Sequence, residues 1–195
     1  MTAPPMQARS SPQGAIAREW WSRLCDPQKG DAGARARLKR CRSAMDALTI
    51  PAAVTLARRL GATGEAAGPW RLEAALGLAR VLAHVDQGGA EPIMRVAGWK
   101  AFPGDDRKGE GDPANRPRLS EARFRRLIQT PPGEELTQMM IRLVHLVGEP
   151  INVASLADDY LGWHRDSTRY RWAFQYYAAG VAAPDDSTPD EEDRA

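Results

Sequence analysis

Cysteine is scarce: Cys25 and Cys41 are the only two among 195 residues. Two thiols cannot build a disulfide framework or a four-ligand zinc site, and so low a count fits a reducing cytoplasm. Both are read as half-buried, small apolar residues. Long apolar runs are missing too. None approaches the roughly 20 residues that a bilayer span requires, which excludes a transmembrane helix. The first 14 residues lack a basic opening followed by an apolar stretch, so no secretory signal and no export are expected. Aromatic residues make up only 7% of the chain against 43% hydrophobic and 27% charged, enough to bury one ordinary core or two small ones.

Catalytic signatures are equally thin. There is no glycine-rich phosphate loop between a strand and a helix, no serine in a nucleophile elbow and no paired Cys and His. His84, His145 and His164 fall on three separate helices or their ends, without the short-range partners a metal site needs. Asp158 and Asp159 are adjacent and read as part of a solvated helix face. The sequence therefore predicts a protein that is not an enzyme, with no metal and no cofactor.

Lysine is nearly absent from the basic set. Of 27 basic residues only Lys29, Lys39, Lys100 and Lys108 are Lys, leaving 23 Arg, the side chain better shaped for phosphate. A GC-rich genome produces the same ratio, so position carries the argument. Between Ala183 and Ala195, six acids face only Arg194, a net −5; since the whole chain is +2, the other 182 residues carry +7. Arg35, Lys39 and Arg42 line up at i, i+4, i+7 beside Arg37 and Arg40, with no acid until Asp46. Arg116, Arg118, Arg123, Arg125 and Arg126 come in close succession with Glu121 as the single acid, and Arg123 and Arg126 share a helix face. Arg142 lies opposite the apolar stripe of its own helix, next to His145. Two acid-poor clusters in one small chain call for an anionic partner, because unneutralised like charges repel.

Helical periodicity recurs along the chain, without the alternation or Val/Ile/Thr richness of strands. The fold class expected is all-α: two small helical bundles joined by a flexible Gly/Pro-rich loop. Ile16, Trp20 and Leu24 mark a first helix. A second is expected from about Asp31, its N-cap, to Leu48, with Ala34, Leu38, Cys41, Met45 and Leu48 inward. Pro51 opens a third that ends at Gly61, and a fourth spans about Trp70 to Val85 with a narrow polar line of Glu73, Arg80 and His84. Ser120 is expected to cap a helix carrying Phe124, Leu127 and Ile128; Leu136 to Val147 forms the next, stopped by Gly148 and Pro150. Asn152 caps another, and the last carries Tyr170, Phe174, Tyr177, Ala178 and Val181 inward. The resulting layout is a disordered N-terminus (1–14), an N-terminal bundle (15–97), a loop or linker (98–118), a C-terminal bundle (119–182) and a disordered acidic tail (183–195).

The stretch from Asn152 to Tyr177 imitates a helix-turn-helix. Its second helix, however, carries Tyr170, Trp172, Phe174, Tyr176 and Tyr177 on more than one side, whereas a recognition helix needs a polar face to read base edges. Such a helix suits packing in a core or against another protein.

Several segments together resemble one family. Ile151-Asn152-Val153, Leu156-Ala157-Asp158, Leu161-Gly162-Trp163, Arg171-Trp172-Ala173-Phe174 and Tyr176-Tyr177 are similar to the C-terminal part of the small subunit of type I-E CRISPR surveillance complexes (Cascade), the CasB family. Arg123 to Leu127 and Ile141 to Val144 resemble its two preceding helices, and Leu38-Lys39-Arg40 its basic N-terminal helix. In element order the resemblance covers Ile16 to Tyr177, in residue detail Leu119 onward. It implies a cytoplasmic, non-catalytic subunit of an antiviral ribonucleoprotein, partnered by the backbone and large subunits, a second copy of itself, guide RNA, and target DNA with its displaced strand. There it would stabilise the R-loop by sequence-independent phosphate contacts, since exchanging duplex DNA for an RNA–DNA hybrid is nearly balanced in analogous systems. The phosphate-contacting set expected is Lys39, Arg40, Arg118, Arg123, Arg126 and Arg142, with Arg35, Arg37 and Arg42 as second choices. The alternatives are a protein–protein bridge whose arginines pair with acidic neighbours, and a helix-turn-helix regulator.

Overall fold

The computed structural model describes residues 11–64, 67–100 and 116–177. The expectations for residues 1–10, for most of the 98–118 loop, for Ala178 and Val181 and for the acidic tail lie outside them. Among the described residues there are ten helices and no strand, so the chain is all-α. They are α1 (Pro12–Leu24), α2 (Ala32–Arg40), α3 (Ala44–Leu48), α4 (Pro51–Arg59), α5 (Pro69–Ala83), α6 (Ile93–Ala97), α7 (Glu121–Gln129), α8 (Glu134–Val147), α9 (Val153–Leu161) and α10 (Asp166–Tyr177). None is long and apolar enough to cross a membrane.

Helix α1 begins inside the segment expected to be irregular. Ser11 caps it by accepting from the Gly14 amide, 3.2 Å, and donates its own amide to Asp158 Oδ2, 3.0 Å, and its hydroxyl to the same carboxylate. Asp158 is therefore no solvated acid: it ties α1 to α9. Gly14 makes the approach possible, because a Cβ there would lie 2.7 Å from the Ala154 carbonyl oxygen. Asp159 is corrected too. It is 1% exposed and paired with Arg171 of α10; burial pushes its carboxyl above the usual range, against the pull of Arg171.

The single helix expected from Asp31 to Leu48 is two helices. Asp31 caps α2 by accepting from the Ala34 amide, 2.7 Å. Ser43 and Asp46 then form a capping box that starts α3 and breaks the register at Cys41. That break turns Met45, 71% exposed, and Leu48 outward, where an unbroken helix would have buried them.

Helix α5 is the axis of the molecule. Ala75 to Ala83 are all buried, against α2, α3, α4, α8 and α9. Gly77 lets Tyr160 of α9 come close: a Cβ would collide with the Tyr160 hydroxyl and sit 3.0 Å from Thr137 Oγ1. Arg80, read from the sequence as part of a polar line, is completely buried. Its guanidinium forks onto Glu134 at the start of α8, 2.6 and 2.8 Å, and reaches the Cys41 carbonyl, 3.3 Å. Burial alone would raise Glu134; hydrogen bonds from Arg80 and Gln138 outweigh it and hold the carboxyl below its ordinary range.

One continuous apolar cluster runs from α1 to α10. At its C-terminal end Trp163 and Trp172, both 0% exposed, meet edge-on at 4.8 Å, and Phe124 stacks on Tyr176 at 4.0 Å. The inward side of α10 is therefore Trp172 and Tyr176. Tyr170 and Phe174, expected inward, are 65% and 75% exposed.

Candidate nucleic-acid interface

Phe124 and Leu127 bury one side of α7 and leave Arg123 and Arg126 on the flank beside α8. On α8, burial of Met140, Leu143 and Val147 leaves Arg142 and His145 exposed. Between the two helices runs a groove of about 570 Å³. Its floor is apolar (Leu119, Leu127, Met139, Leu143 and Leu146) and its rim is Arg123, Arg126, Arg142 and His145. Among the described residues no carboxylate pairs with Arg123 or Arg142, while Arg126 pairs with Glu135 at 2.9 Å. That ion pair is solvent-exposed and therefore weak. Three of the nine expected site residues converge here, from consecutive helices that a four-residue connection packs side by side.

The remaining six divide by how their charge is spent. Arg118 is engaged by Glu149 and donates to the Val147 carbonyl, 2.5 Å, at the end of α8. Arg35 performs the same service for α5, donating to the carbonyls of Ala83, 3.0 Å, and Val85, 2.8 Å, and to Asp86, 2.8 Å. Cations at helix C-termini complement the orphan carbonyls there. Lys39 shares Asp86 at 3.3 Å. Arg37, Arg40 and Arg42 are exposed, with no ion pair among the described residues.

A histidine pair joins the two basic regions. His84, at the end of α5, lies beside Lys39, Asp86 and Arg35, and its Nδ1 is 3.0 Å from Nε2 of His145 on the groove rim. The rings meet edge-on at 4.8 Å. Nothing in the sequence signals this contact, since the two residues are 61 positions apart. Burial first, then the proximity of His145 and Lys39, lowers His84 from 6.5 to about 4, with Asp86 opposing. The folded protein thus holds His84 neutral while the unfolded chain takes up a proton below pH 6.5, so the stability gained from the neutral ring is complete above that pH and is lost as pH falls toward 4. Between pH 6.5 and 5 the urea midpoint should fall by the equivalent of about 1 kcal/mol, after allowing for solvent screening of a half-exposed ring. In His84→Gln this part of the pH profile should be flatter.

A second cavity, about 260 Å³, lies between α5, α8 and α9, with Trp70, Trp163 and His164 in its wall. Its charged residues are Glu73 and Glu134, the wrong sign for phosphate. No cluster of three His, Cys, Asp or Glu side chains able to hold a metal occurs among the described residues. Cys25 and Cys41 are half-buried thiols, each raised by burial, which suits spectator packing more than nucleophilic chemistry.

Comparison with known proteins agrees with this architecture. Residues 34–177, about three quarters of the chain, match the family of CRISPR-associated protein Cse2. The fold is similar to CasB from Thermus thermophilus, with 24% identity and a TM-score of 0.60 over 86% of this chain and 99% of that one. It is also similar to a chain in the crystal structure of E. coli Cascade bound to a PAM-containing double-stranded DNA target, with 15% identity and a TM-score of 0.56 over 85% of this chain and 94% of that one. No curated protein matches by sequence.

Proposed function

The chain belongs to the family of CRISPR-associated protein Cse2, and from that premise we propose that it is a non-catalytic small subunit of a type I-E Cascade complex. In this reading it acts in the cytoplasm beside the backbone and large subunits and a second copy of itself, and holds phosphates of the displaced DNA strand and of the guide–target hybrid region. The observation that carries it is the α7–α8 groove, whose rim arginines Arg123 and Arg142 have no acid partner among the described residues. Charge on a groove rim with an apolar floor grips a backbone and leaves base edges unread, which suits a subunit that must serve any target sequence.

Two further features fit the proposal. The exposed Tyr170 and Phe174 face of α10 is suited to a protein neighbour and is too apolar for the major groove, so the bridging role is an accompaniment to nucleic-acid binding, and the helix-turn-helix regulator is disfavoured. Tipping a strand exchange that is nearly balanced needs only a few phosphate contacts.

The test is binding of the purified protein to single-stranded DNA, duplex DNA and an RNA–DNA hybrid of scrambled sequence across a salt series. The expected result is a log–log slope of about −0.7 per phosphate contacted on single strands, equal for all sequences. Absence of binding at low salt by this chain and by one whose acids between Asp185 and Asp193 are neutralised would leave only the protein bridge, and preference for one duplex sequence would revive the regulator.

A further inference from the structure

We propose that the chain's own acidic C-terminus is the resident occupant of the α7–α8 groove in the isolated subunit, and that nucleic acid must displace it. The inference deepens the proposed function and rests on it for its biological meaning. The Tyr176 hydroxyl donates to the Leu119 carbonyl, 2.7 Å, and the Tyr177 ring meets Phe124 edge-on at 5.9 Å. Leu119 belongs to the groove floor and Phe124 adjoins Arg123 of its rim. The Trp99 amide donates to the Tyr176 carbonyl, 2.8 Å, which pins this end of α10 from the other side. The chain therefore leaves the described structure beside the groove.

Beyond Tyr177 the chain matches the groove in order and in sign. Ala178-Ala179-Gly180-Val181-Ala182-Ala183-Pro184 is uncharged and suits an apolar floor; Asp185, Asp186, Asp190, Glu191, Glu192 and Asp193 then supply six carboxylates against Arg123, Arg126 and Arg142. Asp185 is eight residues beyond Tyr177, a reach of at most about 26–29 Å at roughly 3.3–3.6 Å per residue. A tether this short holds the acids at an effective concentration of order millimolar, so even weak exposed ion pairs keep the groove filled at low salt.

The experiment compares the full chain with a full-length variant in which the acids are neutralised (Asp185→Asn, Asp186→Asn, Asp190→Asn, Glu191→Gln, Glu192→Gln, Asp193→Asn). Two readouts are needed, because removing six negative charges favours DNA at long range wherever the tail lies. The first is affinity for an oligo-thymidine strand. The second is the methyl resonance of Met139 in the groove floor, observed by methionine-methyl NMR without DNA and assigned with Met139→Leu. The expected result is roughly tenfold tighter binding by the variant at about 50 mM salt, vanishing at high salt, together with a Met139 resonance that differs between the two chains and converges as salt rises. Tighter binding with an unmoved Met139 overturns the groove as the docking site, and no change in either readout overturns the docking altogether. A Met139 shift with no DNA binding by either chain supports the intramolecular contact and defeats the proposed function instead.

Discussion

Glu134→Ala is expected to lower the stability of the protein by roughly 2–4 kcal/mol, read as a shift of the urea midpoint, while Arg80→Met changes it by less than about 1 kcal/mol. The asymmetry arises from which partner is buried. Arg80 is fully buried and Glu134 is 43% exposed. Removing the carboxylate leaves a guanidinium in the core whose Nε already has no hydrogen-bond partner and whose remaining contact is the Cys41 carbonyl at 3.3 Å. Removing the guanidinium leaves a carboxylate that water can reach, at the first turn of α8, where the helix dipole favours negative charge, and methionine fills much of the vacated space. The double variant should resemble Arg80→Met, which gives a coupling energy of the same order as the Glu134→Ala loss. Equal destabilisation by both single variants would mean that Arg80 contributes packing and not charge. Because this fork joins α5 to α8, and α8 carries one wall of the groove, the loss should also loosen the placement of Arg142.

Much of the helical pattern was readable because it depends on local chemistry. Pro51 opens a helix and Gly148 and Pro150 close one through backbone geometry, and Asp31 and Asn152 open helices through side-chain caps, all acting within a turn, whereas Ser120, expected as a cap, stands at the N-cap of α7 without a side-chain hydrogen bond. The acid-poor composition around Arg123 and Arg126 was visible for the same reason. What could not be read was long-range. An arginine at position 80 looks like a polar stripe until α8 brings Glu134 against it, and Asp158 and Asp159 look solvated until Ser11 and Arg171 arrive from elsewhere in the chain. The inward side of α10 was misplaced because Tyr170 and Phe174 keep the same i, i+4 spacing as Trp172 and Tyr176, and periodicity alone cannot choose between two apolar faces. In the candidate interface, charge was legible residue by residue, but its availability was not: Arg35 and Arg118 are spent on helix ends, a role that appears only when the carbonyls of Val85 and Val147 are placed beside them.

That difference in availability sets the largest effect expected on nucleic-acid binding. Reversing Arg123, Arg126 and Arg142 together (Arg123→Glu, Arg126→Glu and Arg142→Glu) should reduce single-strand affinity by about a hundredfold or more at low salt and flatten the salt slope by roughly 0.7 for each phosphate no longer held. All three are exposed on the rim of one groove and none supports the core, so the denaturation midpoint should stay within about 0.5 kcal/mol of the parent. The matched control is Arg35→Glu with Arg118→Glu, which removes cations engaged by the ends of α5 and α8 and sets carboxylates against orphan carbonyls; it should cost about 1–3 kcal/mol of stability and, at temperatures where the protein remains folded, leave the salt slope nearly unchanged. Arg37→Glu with Arg40→Glu falls between, because those side chains are exposed on α2 and line neither the groove nor a helix end. If the salt slope responded to Arg35 and Arg118 and ignored the groove triple, phosphate would be held elsewhere and the assignment of the α7–α8 groove would fall. If the groove triple alone removed binding, the two basic clusters seen in the sequence would have different work, the second gripping nucleic acid and the first stitching α2 onto α5.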